Sequence, residues 1–253
     1  MPYRFDFHCH VTEGSKDSKV PIEKYIEILK SKGFYGMVTT DHDSYKGYEA
    51  YISKAKERAF TVLKGIEYDT FDAGHFIVVM PDSFDTSYLA HKGLRVSKLV
   101  KYVHENGGIL GPAHSFSEPF LSIFKTHPFH KSHPIIEGFD FIEGFNACEY
   151  EKDNQAACDI ANKYNLPLTG GSDAHWEGCV GEGYTDFFEE IHTNNELIDY
   201  IKSKKKTEIG GKRFYGTTRD KLGRFNKILV YLFFPYNRLT SLLRQHTAKK
   251  LDH

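Results

Sequence analysis

Short apolar runs of strand character alternate with segments of helical period from Tyr3 to about Lys202, and this alternation constrains the fold more than any other property of the chain. Tyr3–Phe7 reads as the first strand. A helix then opens at Pro21, shows Ile22, Tyr25, Ile26, Ile28 and Leu29 along one side, and stops at Gly33. Further strands are expected at 34–40, 60–68, 75–80, 109–112, 139–145, 166–169 and 183–188, with helices at about 44–59, 96–105, 150–164 and 195–202. The stretch 115–134, dense in Pro, Phe and His, reads as a long loop, and such loops in α/β chains tend to serve function. Some seven or eight β/α units within about 210 residues predict a TIM-like barrel rather than an open doubly wound sheet. No Gly-x-Gly-x-x-Gly follows the first strand and no P-loop occurs, so a dinucleotide cofactor is not expected.

The reading divides the chain into a barrel over residues 1–215 and a helical extension over 216–253, broken near Pro235. The extension is rich in Leu, Phe, Tyr and Arg; helices packed on the barrel or on a second subunit, giving a possible homodimer, are favoured over a basic membrane-surface segment. The 33 basic and 34 acidic residues leave a net charge of −1, from which no long duplex nucleic acid and no anionic membrane is expected as a partner. The four cysteines form no C-x-x-C pair, which argues against a disulfide framework or a zinc ribbon. The N-terminus has no secretory h-region, and no apolar run reaches the length of a membrane span, so a cytoplasmic location is expected.

His8-Cys9-His10 ends the first strand, and histidines at i and i+2 point to one side of a strand, where both rings can reach one metal ion. Taken singly, the pair is equally two polar residues at a strand end. In β/α barrels, however, chemistry collects at the C-terminal ends of strands, and ligand-type residues recur there: Thr39-Thr40-Asp41-His42-Asp43, Gly65-Ile66-Glu67, His75, Ala113-His114, and Gly170-Gly171-Ser172-Asp173-Ala174-His175.

This ordered set is similar to the motif series of the PHP (polymerase and histidinol phosphatase) domain, and resembles most the small stand-alone metal-dependent phosphoesterases. The resemblance covers residues 5 to about 210 and implies a distorted (β/α)7 TIM-like barrel holding two or three divalent ions. Carried over by position, it implies a first metal on His8, His10, Glu67 and Asp173, and a second sharing Glu67 with His75 and His114. A third is implied on His42, His175 and a ligand shortly after the His pair. For that ligand Glu13 comes early and Asp17 slightly late, and Asp17 is preferred. Ser115 departs from the family's usual Pro after Ala-His.

Mixed imidazole and carboxylate donors suit Zn, Mn or Fe better than Mg or Ca. Two ions bridged by a carboxylate hold a hydroxide that is nucleophilic near neutral pH, here placed at Glu67, His114 and Asp173, and clamp both oxygens of a phosphoryl displacement. Asp6 and Asp41 are candidates to orient imidazoles, with helix capping or solvation as the alternative. For substrate contacts the candidates are Trp176, which could stack on a ring or simply pack, and His130 and Lys131 in the long loop. The expected function is hydrolysis of a small phosphorylated substrate, a nucleotide or a short oligonucleotide end. The alternatives are a histidinol-phosphate-type phosphatase, an amidohydrolase-like enzyme, for which no bridging lysine is found, and a non-catalytic metal-stabilised interaction module.

Overall fold

The structure, a computed structural model, describes residues 2–54, 60–117, 121–125 and 133–215. Strand β1 (Tyr3–Cys9) is buried from Phe5 onward and sits near the middle of a curled seven-stranded sheet. On one side it pairs in parallel with β2 (Gly36–Thr39), which pairs in parallel with β3 (Thr61–Asp69). Strand β4 (His75–Val79) runs antiparallel to β3, and β5 (Ile109–Pro112) antiparallel to β4. A separate parallel pair is formed by β6 (Ile142–Asn146) and β7 (Leu168–Gly171). On the other side of β1 lie β8 (Gly183–Phe187) and β9 (Thr207–Gly211), both antiparallel to their neighbours. Helices α1 (Ile22–Ser31), α2 (Lys46–Lys54), α3 (Val96–Glu105), α4 (Glu151–Tyr164) and α5 (Asn194–Lys202) connect the strands.

The fold is therefore mixed α/β with a half-barrel sheet, and the expected seven-fold (β/α) closure is not formed. The reason lies in the connections. A parallel crossover needs a dozen or more residues, whereas β3 turns into β4 over Thr70–Gly74, where Thr70 N and Oγ1 both donate to Gly74 O. Between β7 and β8 there is only a short 3-10 turn, Glu177–Cys179. The β6–β7 pair joins the large sheet through the bridge Cys9–Ala174 and the bond from Asp173 N to His8 O.

Three apolar clusters hold these layers. Phe5, Phe7, Val38, Ile77, Val79, Ile109, Phe141 and Phe187 share one cluster with Leu197, Ile198 and Ile201 of α5. Six of the nine described strands, β1 to β5 and β8, contribute, and α5 closes the end where β3 begins and β4 finishes, Asn194 donating to Lys64 O and Met80 O. The strand C-termini thus face the open end. Cys9, Met37 and Val62 pack on α1 with Tyr51 of α2, and Ile66, Phe76 and Ile142 on α3 and α4.

Two smaller expectations also change. Within the long loop a 3-10 turn forms at Ile123–Lys125, and another, His133–Gly138, runs from its end toward β6. Strand β9 was not expected, because its polar, half-exposed edge sequence follows a lysine run and carries no apolar alternation. The helical extension at 216–253, the dimer contact assigned to it, and the end of the second expected helix at 55–59 lie outside the described residues. Among the described residues no helix is long and apolar enough to cross a membrane.

Candidate metal centre

The strand ends bring nine side chains from distant parts of the chain to one place. Glu67, at the end of β3, is the hub. Its Oε1 accepts from His75 Nδ1 at 2.9 Å and His114 Nε2 at 2.8 Å, while its Oε2 stands 2.8 Å from His42 Nδ1, 3.4 Å from His10 Nε2 and 3.6 Å from His8 Nε2. Asp173 Oδ1 is 3.1 Å from His10 Nε2 and 3.7 Å from His175 Nδ1. Asp17 Oδ2 stands between His42 and His175. All nine residues singled out in the sequence, His8, His10, Asp17, His42, Glu67, His75, His114, Asp173 and His175, share this cluster.

Backbone conformation and close packing place them. Asp43, His114 and Asp173 adopt the left-handed region, with φ of 48°, 28° and 51°, a conformation that side-chain-bearing residues adopt at a cost and mostly where function requires it. Gly171 lets β7 press on β1: a Cβ there would lie 2.4 Å from His8 N and 2.5 Å from His8 Cβ.

Proton bookkeeping shows what the centre lacks. His8 Nδ1 is 2.8 Å from Glu143 Oε1, an acceptor, so Nδ1 carries the proton. His10 Nδ1 is 3.2 Å from Ser15 Oγ, whose own proton goes to Asp41 Oδ1 at 2.7 Å; His10 Nδ1 is therefore also the donor. Two neutral rings so arranged point their Nε2 lone pairs at each other across 3.0 Å, with oxygens of Glu67 and Asp173 beside them. Four electron-rich atoms converge, and either an extra proton or a metal cation must sit among them. Among the described residues, Glu67 Oε2 and His114 Nδ1 are buried without an aligned hydrogen-bond partner. Three groups, His8/His10/Glu67, His42/Glu67/His75 and His10/His42/His175, have donor atoms close enough to hold an ion. The residues fit a divalent transition metal in donor type and in unsatisfied capacity.

Burial and facing charges shift the titration of these groups in both directions. Burial pulls His114 down, but Glu67, Asp173 and Glu143 outweigh it and lift it to about 9. His8 and His42 are likewise raised by facing carboxylates against burial. His10 goes the other way, lowered to about 3 by burial and by the neighbouring His175 and His42. Despite burial, His75, His42 and His8 hold Glu67 well below the usual carboxylate range.

Glu143, Ser15 and Asn146 were not foreseen. Glu143 bonds His8 through Oε1 and takes His114 N and Asn146 Nδ2 on Oε2; Asn146 Nδ2 also donates to Asp173 Oδ2 at 3.1 Å. The available signal was a carboxylate inside the apolar run Ile142-Glu143-Gly144-Phe145. Asp41 does orient an imidazole, through Ser15, and burial raises its own carboxyl to about 7. Asp6 touches no ring nitrogen: it accepts from Ser172 N, Ser172 Oγ, Tyr25 Oη, Gly181 N and His8 N, tying β1 to α1 and to the turns around β7. Trp176 is 39% exposed with the Lys19 ammonium 4.2 Å over its ring, and His130 and Lys131 lie outside the described residues. A cleft of about 880 Å³ opens beside Asp17 and His42, lined also by Lys16, Lys46, Glu49 and Thr86.

A family model described as PHP-associated matches residues 151–205. No curated protein matches. Among solved structures, the fold is shared with PsfC from Pseudomonas syringae (17% identity, TM-score 0.62, 94% of this chain and 98% of that one). It is shared with a two-domain protein from Bacteroides vulgatus containing a predicted PHP-like metal-dependent phosphoesterase (17%, TM-score 0.60, 84% and 65%). It is shared also with Endonuclease Q in complex with a 27-mer duplex substrate with an abasic lesion at its active site (16%, TM-score 0.57, 82% and 58%). The chain thus spans about three fifths of the length of the last two. Endonuclease Q overturns the exclusion of long duplexes drawn from net charge: this fold does receive a duplex, because charge summed over a whole chain does not report the local field at a site. The motif order from His8 to His175 resembles that of the PHP domain, a PHP-associated model matches residues 151–205, and the chain shares its fold with a PHP-like phosphoesterase and with Endonuclease Q.

Proposed function

We propose that this chain is a metal-dependent phosphoesterase. The observation that carries the reading is the pair of inward-facing Nε2 lone pairs of His8 and His10, flanked by Glu67 and Asp173, an arrangement suited to a cation. His8, His10, Glu67 and Asp173 would hold one ion, Glu67, His75 and His114 a second, and Asp17, His42 and His175 a third. Zn, Mn or Fe fits these donors. Bound there, such ions supply the Lewis acidity that phosphate-ester hydrolysis at neutral pH requires.

The chain's own groups prepare the site. Glu143 and the Ser15–Asp41 relay keep the Nδ1 protons of His8 and His10 in place, so both Nε2 atoms stay available. Asn146 fixes the outer oxygen of Asp173. The cleft beside Asp17 and His42 has room for a nucleotide-sized ester, and a nucleotide or an oligonucleotide phosphate is the proposed substrate class.

Metal analysis of the purified protein, with turnover of mononucleotides, p-nitrophenyl esters and single- and double-stranded oligonucleotides, tests the reading. Two or three transition-metal equivalents and release of an alcohol from one of these esters are expected. Metal-loaded protein that cleaves none of them overturns it.

A further inference from the structure

Asp69 follows Glu67 by two positions on β3, so its carboxylate leaves the strand on the same face, one step nearer the open end. Its Oδ2 takes the Lys92 ammonium at 3.1 Å, and its Oδ1 lies 3.8 Å from His75 Nε2. Both side chains are only 14% exposed. An ammonium so desolvated is costly unless its partners are fixed. Of its three N–H donors, the described residues use one, on Asp69.

The loop carrying Lys92 is clamped onto β3. Tyr68 Oη donates to His91 O at 2.7 Å and accepts from Leu94 N at 3.1 Å, Gly93 N donates to Asp69 O at 3.0 Å, and Phe71 N donates to Leu94 O at 3.0 Å. Gly93 has φ of 100°, which a side chain would strain, so a glycine is needed to turn the loop back onto the strand. Lys16 and Lys46, also near the centre, are by contrast exposed, and among the described residues no hydrogen bond of theirs fixes an ammonium there.

We propose that Lys92 binds a non-bridging oxygen of the substrate's phosphoryl group at the rim above Glu67, with Asp69 and the clamped loop holding its ammonium in place. This rests on the phosphoesterase reading, and it makes Lys92 a substrate-binding residue that touches no metal. An ammonium there would complement the negative charge of a phosphoryl group drawn to ions on Glu67 and its histidines.

The test is binding of inorganic phosphate to the Mn-loaded full chain by calorimetry, with metal equivalents measured on the same samples. Lys92→Met is expected to keep its metal and to lose about ten- to hundredfold in phosphate affinity, the value of one charge-assisted hydrogen bond. Lys92→Arg should recover part of that loss, and Lys101→Met, on the exposed side of α3 away from the cleft, should stay within about twofold of the parent. If Met disturbs the loop, Lys92→Gln, which can still donate to Asp69, carries the same expectation. Unchanged phosphate affinity, an equal loss in Lys101→Met, loss of metal in both Lys92→Met and Lys92→Gln, or a parent protein that binds no phosphate each overturns the proposal. Lys92-dependent phosphate binding without turnover of any ester would sink the phosphoesterase reading alone; turnover with Lys92-independent binding would sink this inference alone.

Discussion

Asp17 stands between His42 and His175, its Oδ2 3.4 Å from the Nε2 of one and 3.5 Å from the Nε2 of the other. Those two rings hold its carboxyl far below the usual range against the pull of burial. Asp17 is also the most exposed member of the cluster, at 59% of its side chain. Asp17→Ala should therefore lose about one metal equivalent while the ions at Glu67 stay, since ligands act through their own ion. Elemental analysis checks this, and a variant with full metal content would remove Asp17 from the ligand set.

Glu143 would act on a metal held by His8 through its contact with His8 Nδ1. Replacing it with Gln keeps the size but removes the negative charge facing His8 Nδ1. Metal affinity should fall about 10- to 100-fold, the usual effect of changing the partner of a ligating histidine. Chelator competition measures it.

Stability of the metal-stripped protein should depend on pH in a definite direction. His114 has its folded pKa raised to about 9, above the ordinary value of 6.5, so its contribution is complete below about 6.5 and is lost as pH rises towards 9. His8 and His42 act in the same sense. His10, lowered to about 3, opposes them only below 6.5. Thermal melts of chelator-treated protein should therefore fall from pH 6.5 to 9, and Mn-loaded protein, whose ions replace these protons, should change less.

Gly171→Ala puts a methyl group where His8 backbone and Cβ already stand. Overpacking of this kind costs about 1–3 kcal/mol, and here it also moves β1 away from Asp173. Denaturant unfolding should show the loss, accompanied by weaker metal binding; normal stability with normal metal content would contradict this account of the contact.

The nine clustered side chains were legible because histidines and carboxylates stand out at the ends of apolar runs. Ser15 was not, since a serine gains its role only by lying between His10 Nδ1 and Asp41. Glu143 was hidden inside an apolar strand, and Asp6 was misread because it neighbours a ligand in sequence while serving backbone and hydroxyl donors in space. The alternation of strands and helices was visible, but strand direction was not. An apolar run such as His75–Val79 looks the same in either direction, and only the shortness of the Thr70–Gly74 turn makes it antiparallel.

The position of β1 against β7 has a consequence for folding. Asp6 and Ser172, 166 positions apart, are bonded where His8 and Asp173 meet. His75 and Glu67, by contrast, are only 8 positions apart on one hairpin whose ladder already joins them. An ion on the hairpin pair closes almost no new loop, whereas an ion on His8 and Asp173 cross-links the beginning of the chain to a point far along it. It would work as a reversible clasp, restricting the unfolded chain much as a long-range disulfide does. Four free cysteines and one metal-closed loop would then be two sides of the same solution, the N-terminal strand being fastened by a ligand that can be released.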